Sequence, residues 1–279
     1  MINLKKMIIE EFLAELDKAY KRTYGLIKPD YGSVLVWVGN LSLELIGNSD
    51  ALYHDVDHTM MVTLAGQDIL IGKHLTEGGV SPEDWLHFMI ALLCHDIGYV
   101  KWICQEDKEG FFATGIGGQV VKIPEGGTDA ALTPYHVDRG KLFIRERFGR
   151  ELLVDVDTER INSFIEMTRF PVPGEEIYRE TQGFGGLLRA ADFIGQLGDP
   201  YYLNKIPALF YEFEETGINQ QIGYLCPGDM RAQYAKFFWK TISPFIQEAL
   251  IYLRATLDGR QWIANLYSHL FSVEHDYPF

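Results

Sequence analysis

The sequence has few cysteines, no long apolar run and a shortage of positive charge. Three cysteines, Cys94, Cys104 and Cys226, are an odd number without C-x-x-C spacing. They exclude a disulfide framework or zinc ribbon and suit the reduced thiols of a cytosol. The most apolar stretch, 88–94, is flanked by Glu83 and Asp84 on one side and His95 and Asp96 on the other. It is too short to span a bilayer, so no membrane segment is expected. Near the N-terminus Leu4, Ile8, Phe12 and Leu16 share one helical face, but Glu10, Glu11, Glu15 and Asp17 interrupt them. That pattern belongs to a surface helix and not to a signal peptide. Lysine and arginine total 25 against 39 acidic residues, a net charge of −14 that repels a nucleic-acid duplex. A small anionic substrate stays compatible if a metal and local cations overcome that field. The expectation is a cytoplasmic protein with neither membrane nor duplex as partner.

What is present is ample apolar material. With 279 residues and 47% apolar composition, the chain can build a sizeable core without staples. Apolar residues recur three or four apart over 8–20, 41–46, 57–75, 85–97, 137–147, 158–167, 184–197, 202–215, 230–240 and 244–255, which predicts an all-α fold. Ser81-Pro82-Glu83-Asp84 reads as a helix start, with Ser81 as cap, Pro82 in the first turn and the acids at the positive end of the macrodipole. The segment 105–132 breaks the pattern with six glycines around the β-like stretch 119–123, and reads as an inserted hairpin or lid. A second irregular passage, 170–186, either lines the same cleft or joins two helices. No linker or repeat divides the chain, so one helical domain over 1–279 is expected, with helices of 200–260 packed on the remainder. Phe237, Phe238, Trp239 and Phe245 read as core, or as the surface of a homo-oligomer.

Three His-Asp pairs occur, at 54, 95 and 275, and context separates them. His95-Asp96 closes the apolar run that starts at Trp85, which carries an imidazole and a carboxylate into the interior. A divalent metal is an efficient partner for both, and the competing reading is a satisfied core histidine. His54 and His58 lie four apart, so on one helix they share a face. Asp192 stands alone in the apolar segment 187–195 and needs a cation, which either Arg189 or a metal supplies. His74, His87, His269 and His275 lack ligand-type companions.

His58, then His95-Asp96, then Asp192 reproduce the H…HD…D order of the HD-domain metal-dependent phosphohydrolases, which this sequence resembles over about 50–200. The resemblance implies an HD-type helical bundle whose metal sits on His58, His95, Asp96 and Asp192 and activates water against a phosphate ester of a nucleotide, cyclic nucleotide or small organic phosphate. Tyr53-His54-x-x-x-His58 is also similar to the cyclic-nucleotide phosphodiesterase pattern, which makes His54 the general acid and His58 a ligand, with Asp96 as ligand and bridge. Thr133-Pro134-Tyr135-His136-Val137-Asp138-Arg139-Gly140 is similar to the H-x-x-x-G stretch that supplies a second-metal ligand in dinuclear members, here His136. Where dinuclear members place a further histidine, this chain has Thr168-Arg169, so one metal and two both stay open. Arg169, Lys101 and Arg139 are candidate substrate-binding cations, with plain ion pairs as the competing reading. Mixed oxygen and imidazole ligation suits manganese, iron, cobalt, zinc or magnesium, with manganese or iron favoured. Two alternatives remain beside hydrolysis: an HD-fold di-iron oxygenase and a non-catalytic metal- or nucleotide-binding module.

Overall fold

Ser81 opens the helix at the centre of the molecule. In the computed structural model, which describes residues 4–149, 153 and 155–275, the Ser81 hydroxyl accepts from the Asp84 N–H and the Asp84 carboxylate accepts from the Ser81 N–H. This reciprocal cap, with Pro82 behind it, starts α4 (Pro82–Cys94), in which every residue from Trp85 to Cys94 is buried. Helix α3 (Val56–Glu77) is capped by Asp55, whose carboxylate accepts from the His58 N–H. It packs most extensively against α7 (Phe184–Leu197). Gly195 makes that approach feasible, since a β-carbon there would overlap the backbone of Val62.

Helices α1 (Leu4–Tyr24) and α2 (Asp30–Ile46) pair with each other and cover α4. Helices α5 (His136–Phe148) and α6 (Thr158–Glu166) close a second side. The chain then runs through α8 (Tyr202–Glu215), the short α9 (Ile218–Ile222), α10 (Pro227–Ala232) and α11 (Tyr234–Phe237) to α12 (Ser243–Leu253) and α13 (Leu257–His275). One continuous apolar cluster reaches from Phe12 to Leu270. Among the described residues the fold is all-α with one short antiparallel hairpin.

That hairpin lies inside the predicted insertion: β1 (Phe111–Ala113) pairs with β2 (Val120–Lys122), Phe112 opposite Val121. A small separate cluster of Phe112, Ile123 and Leu132 supports it. Arg139 braces it from beneath.

Three stretches differ from expectation. Helix α2 starts at residue 30 and not 41, because Gly32, Ser33 and Gly39 dilute a helix whose buried face is nonetheless Tyr31, Leu35, Val38 and Leu43. The predicted helix 230–240 is broken into α10, α11 and a π turn over Phe238–Ile242. Pro244 explains the wide turn, since it lacks an N–H and its ring crowds the carbonyl four residues earlier. Helix α13 was unmarked in the sequence. Its buried face, Gly259, Trp262, Leu266, His269 and Leu270, includes a glycine and a histidine that dilute the apolar repeat. Among the described residues no helix is long and apolar enough to cross a membrane.

Candidate metal centre

Each of the four proposed ligands comes from the end or interior of a buried helix. His58 sits in the first turn of α3, His95 and Asp96 follow the last turn of α4, and Asp192 lies within α7. Their side chains meet: Asp96 Oδ2 is 3.1 Å from His58 Nε2 and 3.0 Å from His95 Nε2. Asp192 Oδ1 is 3.6 Å from both imidazole nitrogens. The carboxylate of Asp192 finds no cation in Arg189, which is buried and spends its guanidinium on the Tyr178 and Glu180 carbonyls and on the face of Phe245.

The donor set fits a cation. His95 donates from Nδ1 to the Leu92 carbonyl at 2.8 Å, which turns Nε2 towards the two carboxylates. Yet that buried Nε2 makes no hydrogen bond, despite its short separations. Nitrogen lone pairs and carboxylate oxygens converging on one point are what a divalent ion requires and what protein atoms alone accommodate only with a proton. The proton affinities show that substitute. Burial opposes charge on His95, but Asp96 and Asp192 outweigh it and push its pKa up to about 9. Burial likewise opposes charge on Asp96, and His95 and His58 outweigh it to hold this carboxyl well below its usual range. Two overlapping sets, His54/His58/Asp96 and His58/His95/Asp192, each bring their ligand atoms within 4.8 Å of one another.

His54 is not on α3. It precedes the Asp55 cap, so the i, i+4 pair does not share a helical face as expected. The bend before the cap brings the two rings to 5.4 Å by another route. His54 Nδ1 is 2.5 Å from a carboxylate oxygen of Glu212, on α8, whose other oxygen accepts from the Tyr53 and His54 N–H groups. Burial lowers the proton affinity of His54, but Glu212 more than compensates and its pKa rises to about 9. Tyr99 stacks on His54 at 4.3 Å on one face and on His136 at 4.5 Å on the other.

His136 begins α5 and donates from Nδ1 to the Thr133 carbonyl at 2.7 Å. Its Nε2 is 3.8 Å from Asp96 Oδ1, the carboxylate oxygen that His58 and His95 do not face. Gly98, in the short turn Ile97–Tyr99, allows this: a β-carbon there would overlap the His136 carbonyl. Burial pushes the pKa of His136 down, so it offers a neutral nitrogen.

A model of the Npun_R2479-like family matches residues 2–276, nearly the whole chain and all of these residues. The chain belongs to that family. No curated protein matches the sequence. In this Npun_R2479-like chain the cluster opens into a cavity of about 450 Å³. His54, Asp96, Asp192, Tyr99 and His136 form part of its wall; Phe170, Phe193 and residues of α8–α11 form much of the rest.

The three cations expected near the substrate lie elsewhere. Arg139 is fully buried and donates to the Gly98, Val100 and Ala113 carbonyls and to Asp107, which makes it the brace of the hairpin. Lys101 is bound to the Gly127 carbonyl and Asp129. Arg169 is adjacent to the wall residues Thr168 and Phe170, but Glu166 and Asp138 hold its guanidinium. The hairpin strands contribute no residue to the cavity wall, which α8–α11 supply instead.

Glu212 escaped the sequence reading, although a carboxylate between Tyr211 and Phe213 is a signal of the kind that singled out Asp192. Tyr99 carried no such mark.

Proposed function

We propose that this chain is a metal-dependent phosphohydrolase that cleaves a phosphate ester. The observation that carries the reading is one arrangement: His58, His95, Asp96 and Asp192 converge on a single point, with the His54–Glu212 pair beside it at the head of a cavity. The order of these residues along the chain, similar to that of the HD-domain phosphohydrolases, agrees with it. His58, His95, Asp96 and Asp192 would hold the ion, which supplies Lewis acidity for a phosphate oxygen and for water.

The chain's own groups then divide the remaining work. His54 holds a proton at neutral pH because Glu212 favours the imidazolium, and it donates that proton to the leaving oxygen. Glu212 fixes the ring by accepting from Nδ1, which leaves Nε2 as the donor. Tyr99, flat against the imidazole, keeps it from turning. His136 offers its free nitrogen on the far oxygen of Asp96, an arrangement that suits a second ion bridged by that carboxylate. Among the described residues the cavity wall brings no further histidine to such an ion; Thr168 stands there instead.

The test is elemental analysis of purified protein together with turnover of 4-nitrophenyl esters of phosphate. Asp96→Ala is expected to lose metal and activity together. His54→Ala is expected to keep its metal and to lose about 10²- to 10⁴-fold in turnover. Undiminished turnover in Asp96→Ala would sink the mechanism. Stoichiometric metal with no turnover of any ester would favour the binding-module reading.

A further inference from the structure

The cavity beside the metal cluster is about 450 Å³, within the range of small-molecule sites. Its character is unusual for a phosphate site. Among the described residues no lysine or arginine lines it, and Lys101, Arg139 and Arg169, the cations expected beside the cluster, are committed to other partners. The wall away from the cluster is mostly aromatic and aliphatic, with Phe170, Phe193, Phe213, Met230 and Phe237 among its members. Tyr234 also lines it, is 2% exposed, and carries a hydroxyl with no hydrogen-bond partner. A buried hydroxyl without a partner is costly in a finished interior, and its place in this wall points to a ligand that completes it.

Charge limits that ligand further. Asp96 and Asp192 match the charge of one divalent ion on the four candidate ligands, and the side chain facing His54 is the acidic Glu212, not a cation. Each further negative charge on a ligand would therefore enter a low-dielectric cavity without a protein counter-charge. Resting on the phosphohydrolase reading, we propose that the substrate is an organic ester with an apolar, aryl- or alkyl-type body seated in this cavity and at most one negative charge. Phosphodiesters fit that description, whereas phosphomonoesters and nucleoside polyphosphates do not. In the balanced step water adds to phosphorus, the P–O bond to one organic arm breaks with its electron pair on the departing oxygen, the proton from His54 ends on that oxygen, and the proton lost by the attacking water passes through solvent to restore His54.

Calorimetric binding of diphenyl phosphate, phenyl phosphate and inorganic phosphate to the metal-loaded protein tests this, alongside hydrolysis of the corresponding 4-nitrophenyl di- and monoesters. Diphenyl phosphate, with one charge and two apolar arms, is expected to bind at least tenfold more tightly than phenyl phosphate. Gln221→Arg, which sets a cation on the exposed part of the wall, is expected to narrow that ratio by about threefold or more while metal content stays unchanged. Equal or tighter binding of phenyl phosphate, with turnover of the monoester, would overturn the inference and leave the hydrolase reading intact. Preferential binding of diphenyl phosphate without turnover of either ester would overturn the hydrolase reading and retain the cavity's selectivity.

Discussion

The behaviour of His54 is decided by one carboxylate. Glu212 is 158 positions away in the chain, yet it accepts from His54 Nδ1 and from two backbone N–H groups of the same turn. His54 carries a proton up to about pH 9 in this setting, so the acid form is present at neutral pH and is lost as pH rises through that value. Replacing Glu212 by Gln keeps an acceptor for the backbone but removes the charge. We expect Glu212→Gln to lower turnover about 10- to 100-fold, to leave metal content unchanged, and to move the alkaline limb of the pH–rate profile to lower pH. An unmoved limb would show that Glu212 only shapes the turn. The metal-type ligands were legible in sequence because each is a polar residue at the edge of or within an apolar helix, where burial without a partner is costly. Their neighbours were not, since the Tyr99 stack and the Glu212 contact depend on how distant helices meet. The expected one-helix pairing of His54 and His58 failed for a local reason: Asp55 takes the cap position and starts α3 between them.

At the scale of elements, a close approach of backbones helps to hold the cluster together. Gly98 admits the first turn of α5 and so delivers His136 beside Asp96. Gly98→Ala is expected to cost about 1–3 kcal/mol in a denaturant melt, because the added carbon meets backbone and cannot be relieved by a rotamer change. Wild-type stability in that variant would contradict the packing described. The docking of α13 on α3 has a different signature. Trp262 donates to Asp68, yet burial dominates and raises that carboxyl's pKa to about 6. The folded state thus binds this proton more tightly than the unfolded chain does. The associated stability is complete below the unfolded value near 4 and is lost as pH rises through 6, a difference of about 2–3 kcal/mol. Asp68→Asn, neutral throughout, is expected to be more stable than wild type by about 2 kcal/mol at pH 8, with the gap shrinking towards pH 4. A gap independent of pH would place the effect in packing. Periodicity had shown most helices but not α13 or the first half of α2, because Gly259 and His269 in one and glycines in the other dilute the buried face.

For the whole molecule, the decisive fact is that the four candidate ligands bridge three helices widely separated in sequence. Positions 58, 95–96 and 192 are brought together only when α3, α4 and α7 pack around one core. An ion bound there links the folded state and has no preformed site in the unfolded chain, so its binding free energy adds to stability. At a metal concentration about 100 times the dissociation constant, this amounts to about 2.7 kcal/mol. For a chain of this length that corresponds to a rise of roughly 5 °C in the melting temperature. The excess of negative charge, −14 overall, favours the same direction, since two carboxylates of the cluster lose their mutual repulsion when a cation joins them. Thermal melts of wild type with manganese and with chelator should therefore differ by that interval, and melts of Asp96→Ala should coincide. A wild-type protein whose melting temperature ignores every divalent ion supplied would show that the convergent histidines and aspartates hold a proton and nothing more, because no binding tight enough for function leaves a two-state fold unaltered.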